Sequence, residues 1–185
     1  MTSHIAIIPA RGGSKRIPMK NIRDFRGIPI LGRVLSKVVD SNLFDRVVVS
    51  TDDETIAGIA REFGADVPFL RSSGLSKDDT PTVPVVKDTI QRLFPGELPD
   101  FVTAIYPCAP FLRMKDVECA LETLVQSDAR YVFPVCQFSP PPQRGLVIDS
   151  DNRSTSINPQ FTWTRSQDLD PIFFDVGQFY CGHSD

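Results

Sequence analysis

Apolar positions along this chain fall into two alternating textures. Ile5-Ala6-Ile7-Ile8 is a short continuous run ended by Pro9 and the Gly12-Gly13 pair, which predicts a buried strand feeding a loop. A strand that is apolar on both faces belongs at the centre of a sheet. From Pro29 to Val39 the spacing changes. Ile30, Leu31, Val34, Leu35, Val38 and Val39 recur every three or four positions, so a helix follows, with Pro29 suited to its first turn. Arg46-Val47-Val48-Val49-Ser50 reads as a second strand, and Asp53 to Phe63 as a helix stopped by Gly64, a residue suited to the left-handed cap.

The rhythm continues. Val67 to Leu70 reads as a strand, the region from Val83 to Leu93 as a helix, Phe101 to Tyr106 as a strand, the region from Lys115 to Val125 as a helix and Tyr131 to Val135 as a strand. Strands alternating with helices predict an α/β fold with a doubly wound, mostly parallel sheet flanked by helices. After Cys136 the texture breaks: Ser139-Pro140-Pro141-Pro142 interrupts regular structure, and the polar stretch from Asp149 to Gln160 reads as a short hairpin or lid. Phe173 to Tyr180 is aromatic and strand-like. The expectation is one domain over residues 1–185, with 137–170 as a small C-terminal hairpin, lid or dimerisation segment.

Composition narrows the class. At 185 residues and 41% hydrophobic content the chain can bury one sizeable core. No run reaches the roughly 18 to 20 apolar residues that span a bilayer, and the first residues lack a secretory pattern, so no membrane association and a cytoplasmic location are expected. Cys108, Cys119, Cys136 and Cys181 lie far apart without a C-x-x-C pair and read as buried free thiols. A net charge of −3 argues against general nucleic-acid binding. One stretch reverses the sign: Arg11, Lys15, Arg16, Lys20, Arg23 and Arg26 stand against Asp24 alone. That concentration suits a small polyanion better than a duplex.

The basic stretch begins where the first strand ends, the edge at which open α/β sheets bind ligands. Gly12 and Gly13 allow close backbone approach and let successive amides of Gly12, Gly13 and Ser14 converge on an anion, while Arg11 and Lys20 add charged donors. A solvated basic loop with a glycine turn is the plain alternative. The loop fits neither the Walker pattern nor the dinucleotide fingerprint.

The segment Pro9-Ala10-Arg11-Gly12-Gly13-Ser14-Lys15-Arg16-Ile17-Pro18-Met19-Lys20-Asn21 resembles the signature of the cytidylyltransferases that activate acidic nine-carbon sugars, the CMP-sialic acid synthetase family. Ser50-Thr51-Asp52-Asp53, Phe69-Leu70-Arg71 with Asp78-Asp79-Thr80, and Tyr106-Pro107-Cys108-Ala109-Pro110-Phe111-Leu112-Arg113 agree in order. Within the family, Lys15-Arg16-Ile17-Pro18, Val67-Pro68-Phe69-Leu70-Arg71 and Asp175-Val176-Gly177-Gln178-Phe179-Tyr180 are most similar to the pseudaminic acid branch. The resemblance implies a Rossmann-like, nucleotide-diphospho-sugar transferase-like fold, a homodimer, and transfer of CMP from CTP to an acidic nonulosonic sugar with release of pyrophosphate, for surface glycan or flagellin glycosylation. CMP-sialic or CMP-legionaminic acid synthesis is the alternative within the family. Tyr106 stands where sialic acid enzymes commonly carry Gln.

The resemblance also assigns roles. Arg11 and Lys20 are the catalytic cations. Ala10, Arg11, Gly12, Gly13, Ser14, Lys20, Asn21, Arg71, Thr80 and Thr82 are the nucleotide set, while a surface ion pair for Arg71 and helix capping for the two threonines stay open. Asp53 reads as a helix cap, and Asp52 as a cap or a nucleotide-site residue. For the sugar, Tyr106, Arg165, Gln167, Asp175 and Gln178 are candidates, since a carboxylated sugar needs a cation and directional partners; a rim charge is the other reading of Arg165. The resemblance implies Mg2+, whose clearest ligands in the family are aspartates beyond the aromatic strand. No such motif occurs before Asp185, so the chain reads as shortened, its metal ligands are unassigned, and an inactive CTP-binding remnant is a further alternative.

Overall fold

The computed structural model describes residues 3–184. Its central strand is β1, His4–Pro9, whose residues from His4 to Ile8 are all buried. Alternation along β1 serves two cores. Ala6 and Ile8 pack into one cluster with Leu31, Leu35, Ile56, Val117 and Leu124, and Ile5 and Ile7 into a second with Ile90 and Val102. Burying each large aliphatic side chain contributes roughly 1.5–3 kcal/mol relative to exposure. The first cluster is built by α1 (Ile30–Asp40), α2 (Glu54–Glu62) and α4 (Met114–Gln126), and the second by α3 (Thr82–Leu93). Helices therefore cover both faces of the sheet, as the alternating texture predicts.

The five-stranded sheet has the order β2-β1-β3-β9-β4, with β2 at Arg46–Ser50, β3 at Phe101–Ile105, β4 at Tyr131–Val132 and β9 at Phe179–His183. β1 pairs in parallel with β2 and β3, whereas β9 runs antiparallel to both of its neighbours. The mostly parallel reading holds, with β9 as the reversed strand. Because β1, β2 and β3 point the same way, the chain leaves all three at one edge, and β9 enters from that edge.

Local chemistry explains the boundaries. Asp53 caps α2 by accepting a hydrogen bond from the Ile56 amide at 3.0 Å, and Gly64 follows the helix with φ +81°. Pro29 is the N-cap of α1 rather than a residue of its first turn. Val67 to Leu70 is not a strand. The chain around it meets β2 only through an isolated bridge of Asp66 to Val48, and Leu70 bridges Thr51 just past β2, because Pro68 between them has no amide to offer the ladder. The expected strand from Tyr131 to Val135 breaks in the same way at Pro134, and the Phe173 to Tyr180 stretch breaks at Val176-Gly177.

Residue contacts divide the described chain into two units: the chain up to Pro134 with the stretch from Gly177, and Val135–Val176. The second unit contains an antiparallel pair of β5 (Val135–Gln137) and β8 (Phe173–Asp175), and a hairpin of β6 (Leu146–Ile148) and β7 (Ser154–Ser156). Gln143 ties it together, donating to the Asp170 carbonyl at 2.7 Å and accepting from Asn158 at its own carbonyl. Leu146, Val147, Ile148 and Trp163 are exposed. No helix among the described residues is long and apolar enough to cross a membrane. The four cysteines are free, but only Cys181 is buried; Cys108 is half-buried, and Cys119 and Cys136 are exposed, the first on the outer face of α4 and the second on β5.

His4 is 5% exposed at the start of β1, with Nε2 2.7 Å from Thr103 Oγ1 and its ring 4.5 Å from that of Phe44. Burial lowers its pKa from 6.5 to about 4, with the Leu43 carbonyl and the Asp45 charge opposing the shift. Between those values unfolding takes up a proton, so acid favours the unfolded chain; stability is fully present above pH 6.5 and is lost as pH falls toward 4. Thermal melts of the wild type from pH 7 to pH 4.5 should show this loss, on the order of 2 kcal/mol. His4→Gln should flatten that limb, and an unchanged acid limb in the variant would assign the loss elsewhere.

Candidate functional site

β1 and β2 stay paired for one residue past the strand. Ala10 is fully buried and its amide donates to the Ser50 carbonyl at 2.9 Å, so the chain turns away only at Arg11. The Gly12 amide then donates to Asp52 Oδ1 at 2.9 Å. Packing there is close enough that a Cβ on Gly12 would stand 2.7 Å from Asp53 Oδ2, which makes glycine a steric requirement. The Ser14 amide turns back to the Gly12 carbonyl at 2.8 Å. Three amides were expected to converge on a ligand. Two are instead committed within the protein, because an ionised carboxylate at the end of β2 outcompetes for the first and a tight turn takes the second. The exposed Gly13 amide has no partner among the described residues.

Asp52 has a second neighbour. Arg71 Nη2 lies 3.8 Å from Asp52 Oδ1, and the Arg71 amide donates to the Thr51 carbonyl at 2.7 Å. The Arg71 side chain is only 4% exposed, so the surface ion pair left open by the sequence is not what forms. Its Nε and Nη2 are buried without a hydrogen-bond partner among the described residues. Burial pulls its pKa down; Asp52 opposes the shift, and the nearby Arg11 charge adds to it. A buried guanidinium with unused donors costs several kcal/mol unless an acceptor arrives. Such a group is a donor set aimed at an incoming anion or carbonyl.

The loop's cations already hold one anion. Arg11 Nη1 is 2.7 Å from Asp78 Oδ1 and Lys15 Nζ is 2.5 Å from Asp78 Oδ2. Hydrogen bonds from Lys15 and Arg11 keep the Asp78 carboxyl below the usual carboxylate range. Lys20 begins a 3-10 turn, Lys20–Ile22, and its ammonium makes no ion pair among the described residues. Asn21 is 3% exposed and faces inward: Nδ2 donates to the Arg11 carbonyl at 2.8 Å, and Oδ1 lies 3.2 Å from Cys108 Sγ.

Thr82 is the first residue of α3, but it does not cap the helix. Pro81 is the N-cap, and Thr82 Oγ1 pairs with Tyr106 OH at 3.2 Å. Thr80 is half-buried, its amide donating to the Lys77 carbonyl at 3.3 Å. Tyr106 donates its amide to the Gln178 carbonyl at 2.9 Å and sets its ring edge-on to Tyr180. The first unit thus gathers Arg11, Gly12, Gly13, Ser14, Lys20, Asn21, Arg71, Thr80, Thr82, Tyr106 and Gln178 along one sheet edge. Arg165, Gln167 and Asp175 belong to the second unit. There Arg165 forms a two-pronged pair with Asp168, Gln167 lines a cavity of about 260 Å3 with Gln143, Phe138 and Ile172, and Asp175 sits exposed on β8.

Sequence reasoning did not anticipate Asp78 as the loop's internal anion or Cys108 as a neighbour of Asn21; charge sign alone singled out neither. The described residues contain no group of three His, Cys, Asp or Glu able to hold a metal. Of the carboxylates against the loop, Asp53 caps α2, and Asp52 and Asp78 are each paired with a cation. They do not make a magnesium site between them. What the arrangement can do is bind a polyphosphate: two cations and an exposed amide stand at its mouth, with a buried guanidinium behind.

Comparison with known proteins agrees with this geometry. The family described as Cytidylyltransferase matches residues 5–140. The chain is 37% identical over 182 residues to a pseudaminic acid cytidylyltransferase of Campylobacter jejuni, covering 98% of this chain and 78% of that protein. It is 35% identical over 147 residues to a CMP-N,N'-diacetyllegionaminic acid synthase of Legionella pneumophila, covering 79% of this chain and 63% of that one. In fold it is similar to a CMP:2-keto-3-deoxy-manno-octonic acid synthetase solved with CTP, at a TM-score of 0.74 and 20% identity, over 100% of this chain and 75% of that one.

Asp78 competes with any incoming phosphate for Arg11 and Lys15. Asp78→Asn should therefore tighten binding of inorganic tripolyphosphate about fivefold at low salt, with the gain shrinking as salt screens the loop. Titration calorimetry reads this directly; equal affinities for the two proteins would show that Asp78 does not occupy the phosphate seat.

Proposed function

The chain belongs to the cytidylyltransferase family, and from that premise we propose that it transfers CMP from CTP to an acidic nine-carbon sugar, pseudaminic acid, releasing pyrophosphate. The observation that carries the reading is the closure of Arg11 and Lys15 on the Asp78 carboxylate beside the exposed Gly13 amide. A loop that holds one carboxylate this way is built to hold a triphosphate, whose greater charge displaces it. The sugar is chosen on the C. jejuni relative, which matches nearly the whole chain, and on Tyr106, which replaces the Gln of the sialic acid pattern.

In the transfer, a sugar hydroxyl oxygen bonds to the α-phosphorus, the bond from that phosphorus to the bridging oxygen breaks, pyrophosphate leaves with the electron pair, and the hydroxyl proton passes to water. Such a reaction asks the protein for charge neutralisation and alignment rather than covalent chemistry. Arg11 and Lys20 neutralise the phosphates from the two ends of the loop, Lys15 assists once released from Asp78, and the Gly13 amide supplies an uncharged donor. Arg71 uses its unsatisfied Nε and Nη2 on the nucleotide, held in aim by Asp52. Thr80 and Thr82 border the nucleotide at the start of α3. Tyr106 and Gln178 face the sugar, and the Tyr106–Thr82 pair joins the two halves of the site. The exposed apolar strand β6 and Trp163 fit a homodimer.

Pyrophosphate release by the purified chain with magnesium should be seen with CTP and pseudaminic acid, and should be at least tenfold slower with UTP, sialic acid or legionaminic acid. Release with sialic or legionaminic acid as the better substrate would move the assignment to that branch; CTP binding without release for any sugar would leave a nucleotide-binding protein. Arg71→Ala should lower kcat/KM roughly 100-fold, the cost of removing one positioned donor at such a site.

A further inference from the structure

We infer that Cys108 is a positioning residue for the transfer: its thiol orients the Asn21 amide, and through it fixes the carbonyl of Arg11 and the shape of the phosphate loop. The inference rests on the proposed reading of that loop. Residues 11 and 21 are the loop's two ends, and the Asn21 Nδ2 bond to the Arg11 carbonyl at 2.8 Å closes it like a clasp. A primary amide can point either its oxygen or its nitrogen at a given neighbour. The Arg11 carbonyl can only accept and so takes the nitrogen; Cys108, whose Sγ lies 3.2 Å from Asn21 Oδ1 and 3.9 Å from the Lys20 carbonyl, donates to the nearer oxygen and holds the amide in that orientation. With the oxygen engaged, the nitrogen faces Arg11. Asn21 is 3% exposed, so its amide depends chiefly on these two partners.

Two further observations support the thiol as donor. Burial raises its pKa, more than the nearby Lys20 charge lowers it, so the S–H is intact at neutral pH. The backbone that carries Cys108 is also firmly held. Tyr106 is bonded to Gln178 in β9, Pro107 and Ala109 are buried, and the Leu112 amide returns to the Ala109 carbonyl at 3.0 Å. Cys108 thus stands two residues from Tyr106 on the sugar side and one hydrogen bond from the nucleotide loop. It registers one against the other.

The test compares wild type, Cys108→Ala and Cys108→Ser in tripolyphosphate binding, CTP binding and steady-state transfer, with thermal melts of all three. Ala leaves Asn21 Oδ1 buried without a donor and should weaken both tripolyphosphate and CTP binding about tenfold, raising KM for CTP while KM for the sugar stays within twofold. Ser restores a donor and should recover most of that loss. The inference is overturned if Ala binds both ligands as wild type does, if Ser is as impaired as Ala, or if Ala only lowers the melting temperature. Because tripolyphosphate binding needs no turnover, an enzyme inactive on every sugar would count against the proposed reaction and still decide the role of Cys108.

Discussion

The carboxylate of Asp52 is the point on which this site is assembled. It accepts the Gly12 amide and faces the Arg71 guanidinium, so one side chain at the end of β2 joins the loop after β1 to the segment that runs beside β2. Each partner would be unfavourable without it. Gly12 would lose its hydrogen-bond acceptor beside Asp53, and Arg71 would be a buried charge left with only the weaker pull of Asp88. The arrangement balances charge without saturating it: Asp52 keeps Arg71 ionised and in place, yet leaves Nε and Nη2 unsatisfied.

Much of the fold was legible because its signals are local and redundant. β1, β2 and the four helices each have apolar spacing, a stop residue or a cap that agree with one another, as with Asp53 and Gly64 around α2. Where strand reading failed, a proline or a glycine turn decided the outcome, as at Gly177 with φ +61°. Val67 to Leu70 has the composition of a strand, but Pro68 removes the ladder bond, and Pro134 splits the next strand in the same way. The reversed direction of β9 could not be read at all, since strand polarity depends on pairing with distant residues.

Legibility of the site follows a similar division. Arg11, Gly12 and Lys20 were recognisable because a basic glycine loop after a first strand is a compact pattern. Which amides remain available was not, since the Gly12 amide is consumed by Asp52, forty positions away. Arg71 was named by its motif, but its burial, which decides against a surface ion pair, is something no spacing encodes. Asp78 and Cys108 are quieter still. Each acts on the loop from a separate segment, one as an anion resting on the cations and the other as a donor behind Asn21.

The place of β9 bears on how the protein is made. It lies between β3 and β4, both of which precede it in the chain, and Val135–Val176 comes between β4 and β9. On the ribosome, β1, β2 and β3 can pair as they emerge, but β3 keeps a bare hydrogen-bonding edge until residues 179–183 are synthesised, a wait on the order of ten seconds at ordinary translation rates. An unpaired edge of that kind invites pairing with other chains. The species most exposed to aggregation is therefore the nascent chain waiting for its ninth strand, and not the finished sheet.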